Sequence, residues 1–158
     1  MMWNPNDVLN DFATVARLAG VTLELGDVRV ETMPAPHVPP TRLPPGTMAV
    51  YVFALGEDVL KVGKVGPKSQ ARYTSQHYNP GSANSTLAGS VISDADRLSL
   101  GEGDRAEIGN WIKVNVDRVN FLLQAELGVP VLTLLESFLQ CRLRPRYEGF
   151  KSQRGRSQ

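Results

Sequence analysis

A phenol, several cations and one carboxylate lie at positions from which they could act on a phosphate ester. Tyr51 sits in A-V-Y-V-F, Lys61 and Lys64 in K-V-G-K ten residues on, Arg72 and His77 in the polar stretch that follows, and Glu136 far downstream in L-L-E-S-F-L. Phosphodiester hydrolysis needs an activated water, neutralised phosphoryl oxygens and help for the departing oxygen. Arginine offers a bidentate grip on such oxygens. A lone carboxylate such as Glu136 can hold a magnesium ion that keeps most of its waters. A tyrosine, with a usual pKa near ~10, becomes a base only where neighbouring cations lower that value. Strand alternation puts Lys61 and Gly63 on one face and Val62 and Lys64 on the other. Lys61 is therefore the favoured active-site cation and Lys64 the second choice. Glu136 lies beside the packed face of its helix, where an unpaired carboxylate is costly; a metal, or a structural salt bridge to Arg72, would account for it.

The scaffold for these residues is readable from periodicity. Asn4 or Asn6, Pro5 and Gly20 bracket a first helix with an apolar face of Val8, Phe12, Val15, Ala16 and Ala19. V-T-L-E-L-G-D-V-R-V-E-T-M, alternating around Gly26-Asp27, predicts a short hairpin or two strand fragments. Six prolines between Pro34 and Pro45 make an extended connector. Strands at M-A-V-Y-V-F-A-L and V-L-K-V-G-K-V then form a hairpin. A helix capped by Ser69 runs to Asn79-Pro80-Gly81, and further helices fall over 84–93 and 104–113. Residues 118–124 predict a third body strand, with a helix as the alternative, and Pro130 opens the clearest helix, which ends before Pro145. The expected class is α+β: a small three-stranded antiparallel sheet flanked by helices, with an N-terminal helix and hairpin appendage. The expected boundaries are 1–46 for the appendage and connector, 47–150 for the body, and 151–158 for a basic disordered tail.

A-V-Y-V-F, K-V-G-K, an arginine-bearing helix and L-L-E-S-F-L-Q-C-R-L-R-P, in that order, resemble the GIY-YIG nuclease superfamily over residues 48–149. The resemblance implies a metal-dependent endonuclease in which Tyr51, Lys61, Arg72, His77 and Glu136 are catalytic. It also implies Mg2+ or Mn2+ on Glu136. Ala49 and Val50 replace the first motif's glycine and isoleucine, and Lys61 replaces the second motif's tyrosine. The family's histidine or tyrosine four residues after the arginine falls here on Gln76. His77 is one further on, about 100° around a helix, and would need a bulge or shifted pairing; Tyr73 shares its face. Under the same reading Lys64, Tyr73, Gln76, Tyr78, Asn79, Arg144 and Arg146 meet the substrate. A catalytically inactive nucleic-acid- or protein-binding module of the same fold is the alternative, as is a nuclease subunit recruited to an assembly through residues 1–33.

Charge suggests a polyanionic partner, which the resemblance implies is nucleic acid, DNA foremost. Residues 1–46 carry three basic and five acidic side chains, residues 47–140 eight and ten, and residues 141–158 six and one. The last 18 residues are thus strongly cationic beside an acidic body, the pattern expected for a polyanionic partner. A 42% hydrophobic, 21% charged chain of 158 residues is a folded domain. It has no apolar run long enough for a bilayer and no secretory start, so a cytoplasmic location without membrane attachment is expected. Cys141, the single cysteine, excludes an internal disulfide and a cysteine-built zinc site, and it is expected to be a buried small hydrophobe.

Overall fold

The computed structural model describes residues 3–147. Its order is α1 (Pro5–Leu18), β1 (Val28–Met33), β2 (Thr47–Leu55), β3 (Asp58–Val65), α2 (Gln70–Thr74), α3 (Leu87–Ser93), α4 (Glu102–Ala106), α5 (Ile108–Asn115), β4 (Asp117–Gln124) and α6 (Val129–Leu143), with 3-10 turns at Gln76–Tyr78 and Ala125–Leu127. The class is α+β, and the sheet has four antiparallel strands in the order β1-β4-β2-β3 rather than three. No helix among the described residues is long and apolar enough to cross a membrane.

The extra strand comes from the segment expected to form a short hairpin or two strand fragments; one fragment, Val28–Met33, is a strand. Residues 21–25 hold no strand, and β1 instead runs antiparallel to β4, Val28 opposite Leu123 and Met33 opposite Arg118. A short hairpin alone buries little, whereas an existing sheet edge offers a full ladder of backbone partners. Asn4 caps α1, its side-chain oxygen accepting from the Asn6 amide at 2.9 Å. Val8, Phe12 and Ala16 of α1 are buried in the core formed by Val50, Val52, Phe121 and the α6 residues Leu135 and Leu139. α1 thus packs into the core on one face of the sheet, and β1 is one of its strands. The proline-rich connector is docked too: Leu43 is buried, and its amide and carbonyl both bond the Gln70 side chain, at 2.8 and 3.2 Å.

The sheet has two covered faces. α1 and α6 pack one, against Met48, Val50, Val52 and Val62. The short helices α2, α3 and α5 cover the other, over Ala49, Tyr51, Phe53 and Leu122. This alternation follows from the period of two along a strand. β3 is an edge strand, and a bulge at Leu60, opposite the Phe53–Ala54 step, keeps Lys61 opposite Phe53 and Gly63 opposite Tyr51. Beyond α6 the chain returns along this edge, the Arg146 and Tyr147 amides donating to the Val59 and Leu60 carbonyls at 2.9 Å each. The tail expected at 151–158 lies outside the described residues.

Candidate functional site

Beside the β3 edge lies a polar cleft of about 280 Å³. Tyr51 projects from β2 across its register partner Gly63 to reach the cleft. A Cβ on residue 63 would lie on the Tyr51 hydroxyl oxygen and 2.7 Å from its Cζ, so the close approach requires glycine. Lys61, two residues earlier on the same face, places its Nζ 3.4 Å from the Ser85 hydroxyl. Arg72 reaches in from α2 and donates to the carbonyls of Asn84 at 3.4 Å and Ser85 at 3.5 Å. Ser85 holds a left-handed φ of 58°, which turns the chain so that its carbonyl meets Arg72. From the opposite side of the edge, Glu136 of α6 completes the cleft, its Oε1 accepting from Lys64 Nζ at 2.7 Å. The salt bridge to Glu136 is thus made by Lys64, not by Arg72. Tyr51, Lys61, Arg72 and Glu136 border the same cleft.

His77 reaches Tyr51 because the expected long helix breaks. α2 stops at Thr74, and the 3-10 turn at Gln76–Tyr78 supplies the shift in register that a continuous helix would deny. The buried imidazole accepts the Leu87 amide on Nδ1 at 3.1 Å, and its Nε2 lies 2.7 Å from the Tyr51 oxygen. With Nδ1 acting as acceptor, the ring proton of a neutral histidine resides on Nε2 and is donated to Tyr51. Burial, reinforced by Arg72, Lys61 and Arg118, holds the His77 pKa down to about 2. His77 is therefore a neutral donor to the phenol oxygen, not a base that could take its proton.

Three cations and one carboxylate make the cleft attractive to anions. No group of three or more histidine, cysteine, aspartate or glutamate side chains is arranged to hold a metal among the described residues, so a protein-built cage does not fit. One carboxylate bordering a polar cleft does fit a magnesium or manganese ion that keeps most of its waters. Such an ion would compete with Lys64 for Glu136.

Several residues expected to meet the substrate lie elsewhere. Tyr73 and Tyr78 are buried in the core: the Tyr73 ring packs on the Arg118 guanidinium, and Tyr78 packs its ring on Phe53 while its hydroxyl accepts from Arg118. Asn79 lines a separate hollow with Glu107 and Lys113, and Gln76 is half-buried on the 3-10 turn. Arg144 is exposed where α6 ends in a left-handed residue. Arg146 is exposed beside a hollow of about 690 Å³ that meets the cleft at Ser85. Cys141 is exposed, not buried. Sequence reasoning missed Ser85, whose role depends on one backbone angle, and Arg118, although the alternation of Arg118 and Asn120 in a buried strand was a signal. Arg118 is completely buried. It donates to Asn120 Oδ1 at 2.8 Å, the Tyr78 hydroxyl at 3.1 Å and the Tyr73 carbonyl at 2.7 Å.

No family model matches this chain, and no curated protein or solved structure is detectably similar to it.

Proposed function

We propose that this chain is a metal-dependent endonuclease that hydrolyses phosphodiester bonds in nucleic acid, DNA foremost, by GIY-YIG-type chemistry. The supporting observation is that Tyr51, Lys61, Arg72 and Glu136, drawn from four separate elements, border one small cleft. In this reading a phosphodiester enters with its non-bridging oxygens toward Arg72 and Lys61, which neutralise the charge that grows on them. The Tyr51 phenolate, oriented by the His77 Nε2–H donor, accepts a proton from the attacking water. The new oxygen–phosphorus bond forms as the bond to the departing sugar oxygen breaks, and that oxygen takes its proton from solvent. A bound Mg2+ or Mn2+ would be held by Glu136 and would supply further charge neutralisation at the phosphoryl group. The exposed Arg144 and Arg146 would add sequence-independent attraction to the backbone.

A second reading, a binding module without catalysis, draws support from the Lys64–Glu136 ion pair, which occupies the carboxylate the metal would need. Incubation of plasmid and single-stranded DNA with Mg2+ separates the two. The nuclease reading expects cleavage by the native chain and none by a folded Glu136→Ala variant. The binding reading expects salt-sensitive DNA binding, unchanged in Glu136→Ala, and no cleavage by either.

A further inference from the structure

We propose that the outer edge of β1 is a self-association surface, on which a second copy of this chain docks about a twofold axis with Arg29 of each copy opposite Glu31 of the other. β1 closes one end of the sheet. The Gln124 amide donates to the Asp27 carbonyl at 2.9 Å, and this bond sets the phase of the ladder. With Val28 opposite Leu123 and Met33 opposite Arg118, Arg29, Glu31 and Met33 direct their backbone groups toward β4. Val28, Val30 and Thr32 direct theirs outward. No group among the described residues bonds to those outward N–H and C=O groups. Residues 21–25, the neighbouring fragment in sequence, do not pair with β1 either. At the other edge of the sheet, the Arg146 and Tyr147 amides donate to the Val59 and Leu60 carbonyls of β3. Proteins blunt an unpaired edge with proline, lysine or a bulge, and V-R-V-E-T-M has none of these.

Charge selects the occupant and its register. Arg29 is exposed and Glu31 half-buried on the same face of the strand, and neither makes an ion pair among the described residues. Opposite charges two residues apart on an antiparallel edge complement a second copy of themselves. Centred on Val30, the twofold sets Val28 against Thr32, Val30 against Val30 and Thr32 against Val28, each pair exchanging both backbone bonds. Arg29 then stands opposite Glu31 in the pairs without backbone bonds, where Cα atoms approach to about 4.5 Å and side chains meet most closely. Moving the centre to Arg29 or to Glu31 would lose one bonded pair and set like charges face to face, which is destabilising. The sheet then runs unbroken through both copies. β3 and the cleft beside it lie at the far edges, so association leaves the proposed nuclease site uncovered and does not depend on that reading.

Sedimentation equilibrium over a concentration series tests this without any cleavage assay. The native chain should form a dimer. Arg29→Glu, a change at an exposed position, should weaken it about tenfold or more, because two attractive pairs become repulsive. Glu31→Arg should weaken it to the same degree. An equimolar mixture of the two variants should recover association near the native strength, since every opposed pair then has opposite signs. In hydrogen exchange the amides of Val28, Val30 and Thr32 should gain protection as concentration rises, while those of Arg29, Glu31 and Met33 stay protected throughout. A native chain that remains monomeric up to about 1 mM overturns the proposal. So does a dimer indifferent to Arg29→Glu, whose contact would lie on another face. Protection of the outward amides that does not vary with concentration also overturns it, because the chain itself would then cover the edge. If Glu31→Arg does not fold, Val30→Pro removes one outward donor and spares the bonds to β4. Loss of the dimer in that variant supports the proposal, and an unchanged dimer overturns it.

Discussion

Replacing Gly63 by alanine tests whether Tyr51 really crosses the edge strand, because two opposing effects of known size meet there. In an open strand position the exchange would stabilise by roughly 0.5–1 kcal/mol, since glycine loses more backbone freedom on folding. Here the new methyl would lie 2.7 Å from Tyr51 Cζ and 2.9 Å from Cε2, well inside van der Waals contact. Tyr51 has no room to yield: it is completely buried, with His77 at 4.7 Å and Phe53 at 5.7 Å between ring centres. Overpacking of this kind costs about 1–3 kcal/mol, and a broken Tyr51–His77 hydrogen bond about 1 kcal/mol more. The net expectation is a loss of about 1–3 kcal/mol in urea unfolding, or a fall in Tm of roughly 3–10 °C for a domain of this size. In a Tyr51→Leu background the same exchange should be neutral or favourable, giving a clear coupling energy in the double-mutant cycle. Equal or greater stability of Gly63→Ala alone, or zero coupling, would refute the reasoning.

Acid should weaken the fold through His77. Between about pH 6.5 and the value near 2 to which burial lowers it, the unfolded chain binds a proton that the folded chain does not. Stability is thus fullest above pH 6.5 and falls on acidification by up to about 1.4 kcal/mol per pH unit for this group. His37, lowered mainly by burial, adds to the same slope. His77→Gln should flatten the dependence of the urea midpoint on pH between 5 and 7 by about one proton's worth; an unchanged slope would contradict a neutral buried His77. Lys64→Met removes the cation 2.7 Å from Glu136 and should tighten Mn2+ binding about two- to fivefold in calorimetry, the size expected for one partly exposed ion pair. Unaltered affinity would place the ion elsewhere. The Lys64 and Glu136 side chains are 36% and 15% exposed, so Glu136→Gln should change urea stability by no more than about 1 kcal/mol, while cleavage is lost.

The parts of the site legible in the sequence were those fixed by local pattern. The β2–β3 hairpin and α6 follow from strand alternation and from Pro130 with its apolar helical face, and they carry Tyr51, Lys61, Gly63 and Glu136. The pairing of β1 with β4 was not legible, because it joins segments about ninety residues apart in sequence and a strand pattern does not name its partner. The break after Thr74 was hidden as well. S-Q-A-R-Y-T-S-Q-H-Y has no glycine or proline, and tertiary contacts of Tyr73, His77 and Tyr78, not propensity, set where the helix stops. Arg118 reads as a strand-end charge until the helices that close over it are in place.

Crystals of the protein grown with a short DNA strand and soaked in Mn2+ test the central claim most directly. The account expects an anomalous peak bonded to a Glu136 oxygen, with a phosphodiester held by Arg72 and facing the Tyr51 hydroxyl. An ion bound remote from Glu136, or a strand whose phosphates pass outside the cleft, would contradict it.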